Sequence, residues 1–174
     1  MAQPWRKHPK LQGRFHPDFP DDVQVLAHDG GPRLTDRHPE VVWVRVTGCE
    51  GDVFTGTVLN RPYQLQTVTE GGEILFVVPE GGEHPLRVTK KYLAERPDWV
   101  ILPCNRCGLT ELFDAPSDLI RTVFPKAPPG APVSVFTAFC GACGGTLLVK
   151  SKDLEEREAA AGEPPQKRWW HFWK

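Results

Sequence analysis

Apolar and polar residues alternate with a period of two over most of the first hundred positions, the signature of half-buried strands. The clearest run is EVVWVRVTG at 40–48. It sets Val42, Val44 and Val46 on one face and Trp43 and Arg45 on the other. Shorter runs predict strands at DVQVLAHD (22–29), VFTGTVLN (53–60), ILFVV (74–78), LRV (86–88) and DWVILP (98–103). Gly56, inside one of these runs, predicts a bulge or a close backbone approach. Two more strands are expected at VSVFTAF (133–139) and GTLLVK (145–150). Trp43 and Trp99 are expected to be largely buried, with the 40–48 strand sandwiched between the barrel interior and the C-terminal half of the chain.

Helical periodicity is confined to short segments. Thr89 predicts a cap for the single turn KKYLAE, which stops before Pro97. DAPSDLIRTVFP predicts a helix capped by Asp114 or Ser117 and ended by Pro125. SKDLEEREAAAG predicts a third helix, with Asp153 and Glu156 at capping-box spacing and Gly162 closing it.

These elements describe a mostly β protein with a minor α component. A small bent sheet or SH3-like barrel runs into a second, smaller unit, succeeded by a C-terminal helix and tail. The division expected is an extended N-terminal arm (1–21), a barrel-like domain (22–99), a zinc ribbon (100–150), a helix (151–162), and a linker with a basic aromatic tail (163–174).

The ribbon is read from PCNRCGLTELF and FCGACGGTLLV. Cys104 and Cys107 form one C-x-x-C turn, Cys140 and Cys143 a second, with 32 residues between the pairs. That spacing is a four-cysteine zinc site, since two intervening residues let one tight turn present two thiolates to a single ion. Gly108 and Gly144 come directly after the pairs, where the backbone must turn with positive φ. A redox dithiol pair or an iron–sulfur cluster is the alternative reading. Four thiolates leave no open coordination position, so the site implies structure rather than Lewis-acid catalysis. Cys49, in an expected hairpin turn, lies outside the set.

Proline (18) and glycine (16) among the 174 residues favour turns over long helices. The net charge of −1 conceals an uneven distribution. Residues 1–16 carry +4 and residues 167–174 carry +3, leaving −8 on the body between them. An acidic body argues against general nucleic-acid binding. The first 15 residues hold no apolar run, and no stretch approaches the roughly 20 apolar residues of a membrane span. A reducing cytoplasmic setting, in which paired cysteines hold metal rather than form disulfides, is therefore expected. The six histidines (8, 16, 28, 38, 84 and 171) are scattered, and no nucleophile elbow, phosphate loop or H-E-x-x-H is present. Asp18, Asp21 and Asp22 read as a solvated acidic loop.

One resemblance extends this reading. VQVLAHDGG, EVVWVRVTGCEGDVFTGTVLN, GGEILF and PDW at 97–99 resemble the bacterial YegJ-like domain-of-unknown-function family numbered 2314. The similarity spans residues 22–99 and implies a small β-rich module with no established activity. The ribbon and the tail are additions to that pattern.

The sequence thus points to a non-enzymatic, zinc-stabilised protein-binding or adaptor module. Its partner-binding candidates are Trp169, Trp170, Phe172 and Trp173 in KRWWHFWK. A nucleic-acid-binding accessory protein, an immunity or inhibitor protein, and an enzyme assembled from scattered histidines and carboxylates are the competing classes. Contact with a membrane is expected to be peripheral at most.

Overall fold

The computed structural model describes residues 3–162. Five strands close into a barrel: β1 (Asp22–Ala27), β2 (Glu40–Glu50), β3 (Val53–Val58), β4 (Glu73–Val77) and β5 (Leu86–Val88). Each strand pairs antiparallel with the next, and one parallel pair, Leu26 opposite Leu86, closes the ring. The alternation expected along β2 is obeyed. Val42, Val44 and Val46 point inward with Val23, Val25, Phe54, Ile74 and Phe76. Phe54 and Phe76 are cross-strand partners whose rings stack 5.4 Å apart.

Gly56 is where the barrel bends most tightly. The β2–β3 register slips between Val46 and Gly48, directly opposite it. A methyl on Gly56 would lie 2.8 Å from the Arg45 carbonyl oxygen, so only glycine admits this approach. β2 continues through Cys49, placing that thiol in the strand, half-buried against the barrel core, rather than in the hairpin turn.

Two larger expectations are also corrected. The N-terminal segment is not an extended arm. It forms two short 3-10 turns, Pro4–Lys7 and Pro9–Leu11, and inserts Leu11 fully into the barrel core. Asp21 anchors it, accepting from the Trp5 indole at 3.1 Å and from two Arg6 nitrogens at 2.7 Å. Asp22 pairs with Arg45 at 2.9 Å, so two of the three acidic-loop carboxylates are committed to ion pairs. Secondly, Trp43 is half-buried on the outer face of β2, edge-on to His16 at 5.2 Å, and is not sandwiched. The N-terminal segment covers it because closure of the barrel leaves the outer face of β2 free.

The second sheet has three antiparallel strands, β6 (Trp99–Ile101), β7 (Val135–Phe139) and β8 (Thr146–Ser151), in the order β6-β8-β7. Among the described residues three α-helices accompany the sheets: α1 (Lys90–Glu95), α2 (Pro116–Val123) and α3 (Lys152–Ala161). Thr89 caps α1 as expected, accepting from the Tyr92 amide at 3.1 Å. The other two caps differ from expectation. Glu95 of α1, not Asp114 or Ser117, receives the first free N–H of α2, at Ser117, at 2.9 Å. Ser151, not Asp153, caps α3 through the Leu154 amide.

Two buried clusters result. One fills the barrel. The other lies between barrel and ribbon, where Leu86, Val88 and Tyr92 meet Ile101, Phe113, Phe136, Leu147 and Val149. Leu26, Leu75 and Val77, on the outer barrel face, pack against that second cluster, so the barrel wall has apolar cover on both sides there. Trp99 is half-buried in it, edge-on to Phe136 at 5.6 Å. Among the described residues, no helix is long and apolar enough to cross a membrane.

Candidate metal centre

Each cysteine turn sits at the same end of the ribbon sheet. β6 leads into Cys104, β7 leads into Cys140, and β8 leaves the second turn. The two turns share one hydrogen-bonding scheme. In the first, the Gly108 amide donates to the Cys104 carbonyl at 3.0 Å and the Cys104 amide donates to Leu109 at 2.9 Å. In the second, Gly144 donates to Cys140 at 2.9 Å and Cys140 donates to Gly145 at 2.7 Å. Gly108 and Gly144 have φ of 77° and 74°, the left-handed conformation that glycine adopts without a steric cost.

The turns are also tied to each other. The Asn105 amide donates to the Thr146 carbonyl at 3.1 Å, and the Thr146 amide returns a bond to Asn105 Oδ1 at 3.0 Å. Arg106 Nη1 donates to the Cys143 carbonyl at 3.0 Å. Gly145 lies beneath the pair, where a methyl would fall 2.7 Å from Cys104 Sγ.

This framework brings the four sulfurs within 4.8 Å of one another. Cys104 Sγ and Cys143 Sγ are 3.5 Å apart, and Cys107 Sγ and Cys140 Sγ are 3.7 Å apart. These separations are too long for disulfides, which need about 2.05 Å. They match the edge of a tetrahedron with ligands about 2.3 Å from its centre, about 3.8 Å. The four cysteines can therefore hold a metal ion. Two are buried and two half-buried.

The electrostatics also call for a cation. Burial opposes charge on Cys104, yet the Cys107 and Arg106 amides hold its thiol down at about 6. Burial pushes the Cys140 thiol up, although the Ala142 and Cys143 amides oppose that, and its neighbour Cys107 adds to it. One thiolate forms readily, and each further negative charge in this space requires a positive ion to balance it.

The barrel supports the centre from behind. Gly81, in the β4–β5 turn, lies so close to the Gly108 carbonyl that no Cβ fits, and Thr110 Oγ1 donates to the Glu80 carbonyl at 2.8 Å. Phe113 stacks on buried His28 at 4.1 Å and fills the space over Gly141. The Gly31 amide donates to Asp114 at 2.8 Å. Tyr92 donates its hydroxyl to Glu111 and accepts from the Leu112 amide at 3.1 Å, while Arg96 Nε reaches Glu111 at 2.9 Å.

The other candidates disperse. His38 lines a cleft of about 270 Å³ with Arg37 and Gly141. His84 lines a different one of about 320 Å³ with Val41, Cys107 and Cys143. His28 is buried with Nε2 2.7 Å from the Arg87 carbonyl, and burial lowers its pKa to about 4. His8 faces Asp52, and His16 faces Trp43. Asp29, just past β1, is a pin. It accepts from Thr67 Oγ1, the Thr67 and Gln66 amides and Arg37 Nε at 2.5–2.9 Å. Burial opposes its charge, but these donors hold it well below the usual carboxylate range. Trp169, Trp170, Phe172 and Trp173 lie outside the described residues.

Comparison of the chain with protein-family models, with curated proteins and with solved structures finds no match.

Proposed function

We propose that the protein is a non-enzymatic, zinc-stabilised binding module that docks on a partner protein, in part through Trp169, Trp170, Phe172 and Trp173. The observation that carries the metal half of this reading is the four-sulfur cluster itself. Four cysteine sulfurs within 4.8 Å of one another, met by N–H donors and closed by their own turns, suit Zn²⁺ and leave it no site for substrate. Cys104 and Cys140 are themselves buried members of the seam cluster, so a metal bound there supplies folding energy. The adaptor half rests on composition. Three tryptophans and a phenylalanine within the eight residues of a basic tail form a hot-spot-like segment on a chain whose body is acidic. The resemblance of residues 22–99 to a family of small β modules belongs to the same proposal.

Two measurements test it. Protein purified under reducing conditions should carry one zinc per chain by elemental analysis. Cys107→Ser should lose that zinc and the ordered ribbon with it. A metal-free protein that melts normally overturns the zinc assignment. For docking, proteins cross-linked to the full chain in its host should be purified and rebound. Binding that survives replacement of the four tail aromatics by serine removes the tail from the interface.

A further inference from the structure

The ribbon sheet has two faces, and among the described residues only one is covered. Phe136, Ala138, Leu147, Val149 and Ile101 point into the seam with the barrel. The opposite face presents Val135 and Phe139 from β7, Leu148 from β8 and Leu102 just past β6. Val135 is 43% exposed, Phe139 46% and Leu102 38%, while Leu148 is half-buried. These side chains adjoin. Thr137 pairs with Leu148, Val135 pairs with Lys150, and the Leu102 amide donates to the Leu148 carbonyl at 2.9 Å. Arg33 covers one side of the Phe139 ring at 4.9 Å and leaves the rest open.

The described part of the chain ends beside this face. Lys150 points from it, and its amine pairs with Glu158 of α3 at 2.9 Å and with Glu155 at 3.6 Å. Those contacts hold α3 against the Lys150–Val135 end of the sheet. Gly162 lies four residues past Glu158, about 6 Å along a helix. The next twelve residues, EPPQKRWWHFWK, can extend to about 40 Å. From Val135 to Phe139 the face measures only about 14 Å. The whole face is within reach.

We propose that residues 169–173 dock in cis on this face, Trp169, Trp170, Phe172 and Trp173 packing over Val135, Leu148, Leu102 and Phe139. The composition matches the surface. Four large aromatics meet a sheet face of three branched aliphatics and one phenylalanine with Thr137 and Thr146 between them, and flat rings lie well across a pleated surface. The charges agree as well. Lys167 and Arg168 precede the aromatics and start from the end of a helix in which Asp153, Glu155, Glu156 and Glu158 outnumber Lys152 and Arg157. A tether this short sets an effective concentration in the millimolar range, so weak contacts suffice to hold the segment down. Docking in cis is independent of the adaptor reading. Where both hold, a partner competes with the sheet for the same aromatics, and the uncovered face becomes available whenever the partner wins.

The test uses the full-length, metal-loaded chain and hydrogen–deuterium exchange. Replacing Trp169, Trp170, Phe172 and Trp173 together with serine should speed exchange at 135–139 and 100–102 by about tenfold or more, while barrel strands β1–β4 exchange as before. The reciprocal variant, Val135→Thr with Phe139→Ser, should raise acrylamide quenching of the tail tryptophans; unchanged barrel exchange again reports an intact fold. Equal exchange at 135–139 with and without the aromatics overturns the proposal. So does protection that moves to another surface, such as the cleft formed by Phe124, Pro125 and Pro128. Protection that appears only with rising protein concentration and a dimeric mass assigns the face to a second copy and overturns docking in cis.

Discussion

His28 accepts from the Gly30 amide and Asp114 from the Gly31 amide where barrel and ribbon meet, and burial shifts the two groups in opposite directions. Burial pushes the Asp114 carboxyl up to about 6, the Gly31 amide opposing and Asp118 adding to the rise. Burial pushes His28 down to about 4, with Arg87 and Asp29 the charges that face it. Between pH about 4 and 6 the folded protein binds more protons at Asp114 than the unfolded chain, so the stability from this group falls as pH rises through about 6. At His28 the folded protein binds fewer protons between pH about 4 and 6.5, so stability falls as pH drops through that window. The two trends oppose each other. Asp114→Asn keeps an acceptor for the Gly31 amide and removes only the first trend. In urea unfolding it should be more stable than the parent at pH 7.5 by about 3 kcal/mol, the difference vanishing near pH 4. A variant less stable at pH 7.5 would show that the carboxylate charge is used in the fold.

At the scale of elements, the helices are short and depend on one another. α2 has eight residues and no cap of its own, since Ala115 occupies the N-cap position. Glu95, at the end of α1, supplies the missing acceptor to the Ser117 amide and also receives the Ser117 hydroxyl at 2.7 Å. A carboxylate there also faces the positive end of the helix dipole. Glu95→Ala should therefore cost about 1 kcal/mol, the usual value of a lost cap. The loss should appear as faster amide exchange in the first turn of α2. Glu95→Gln, which keeps one acceptor, should lose less. Exchange in α2 that is indifferent to both changes would place its stability in the packing of Leu119 alone.

For the whole molecule, two apolar clusters predict two levels of stability. The barrel core holds Leu11 and the inward residues of β1–β4 and contains no cysteine ligand. The seam cluster contains Cys104 and Cys140 among its buried members and depends on the ribbon staying folded. Graded chelation should therefore release protection at 99–151 first and leave β2 and β3 protected. Val77 and Leu26, whose outward faces lose their cover, should open together with the ribbon. Simultaneous loss of protection in β2 and β8 would mean that the barrel cannot stand without the cysteine-bearing half.

Much of this architecture is legible in the sequence alone. Alternation along 40–48 correctly places Val42, Val44 and Val46 on the core face, because a strand's side chains have only two directions. The C-x-x-C spacing is decisive for a similar reason. A two-residue turn can present both sulfurs to one point, and Gly108 and Gly144 are the residues that allow it. Tertiary structure alone decided what lies over each face. Periodicity marks Trp43 as opposite the valines but does not reveal that His16, not the ribbon, covers it. It gives no sign that Leu11 enters the barrel, that Glu95 caps a helix beginning 21 residues later, or that Gly31 meets Asp114 across 83 positions. Local pattern reports the polarity of a surface, a property of neighbouring residues. The partner of that surface is selected by the closure of the whole chain, where a single backbone N–H or a missing Cβ determines which segments can touch.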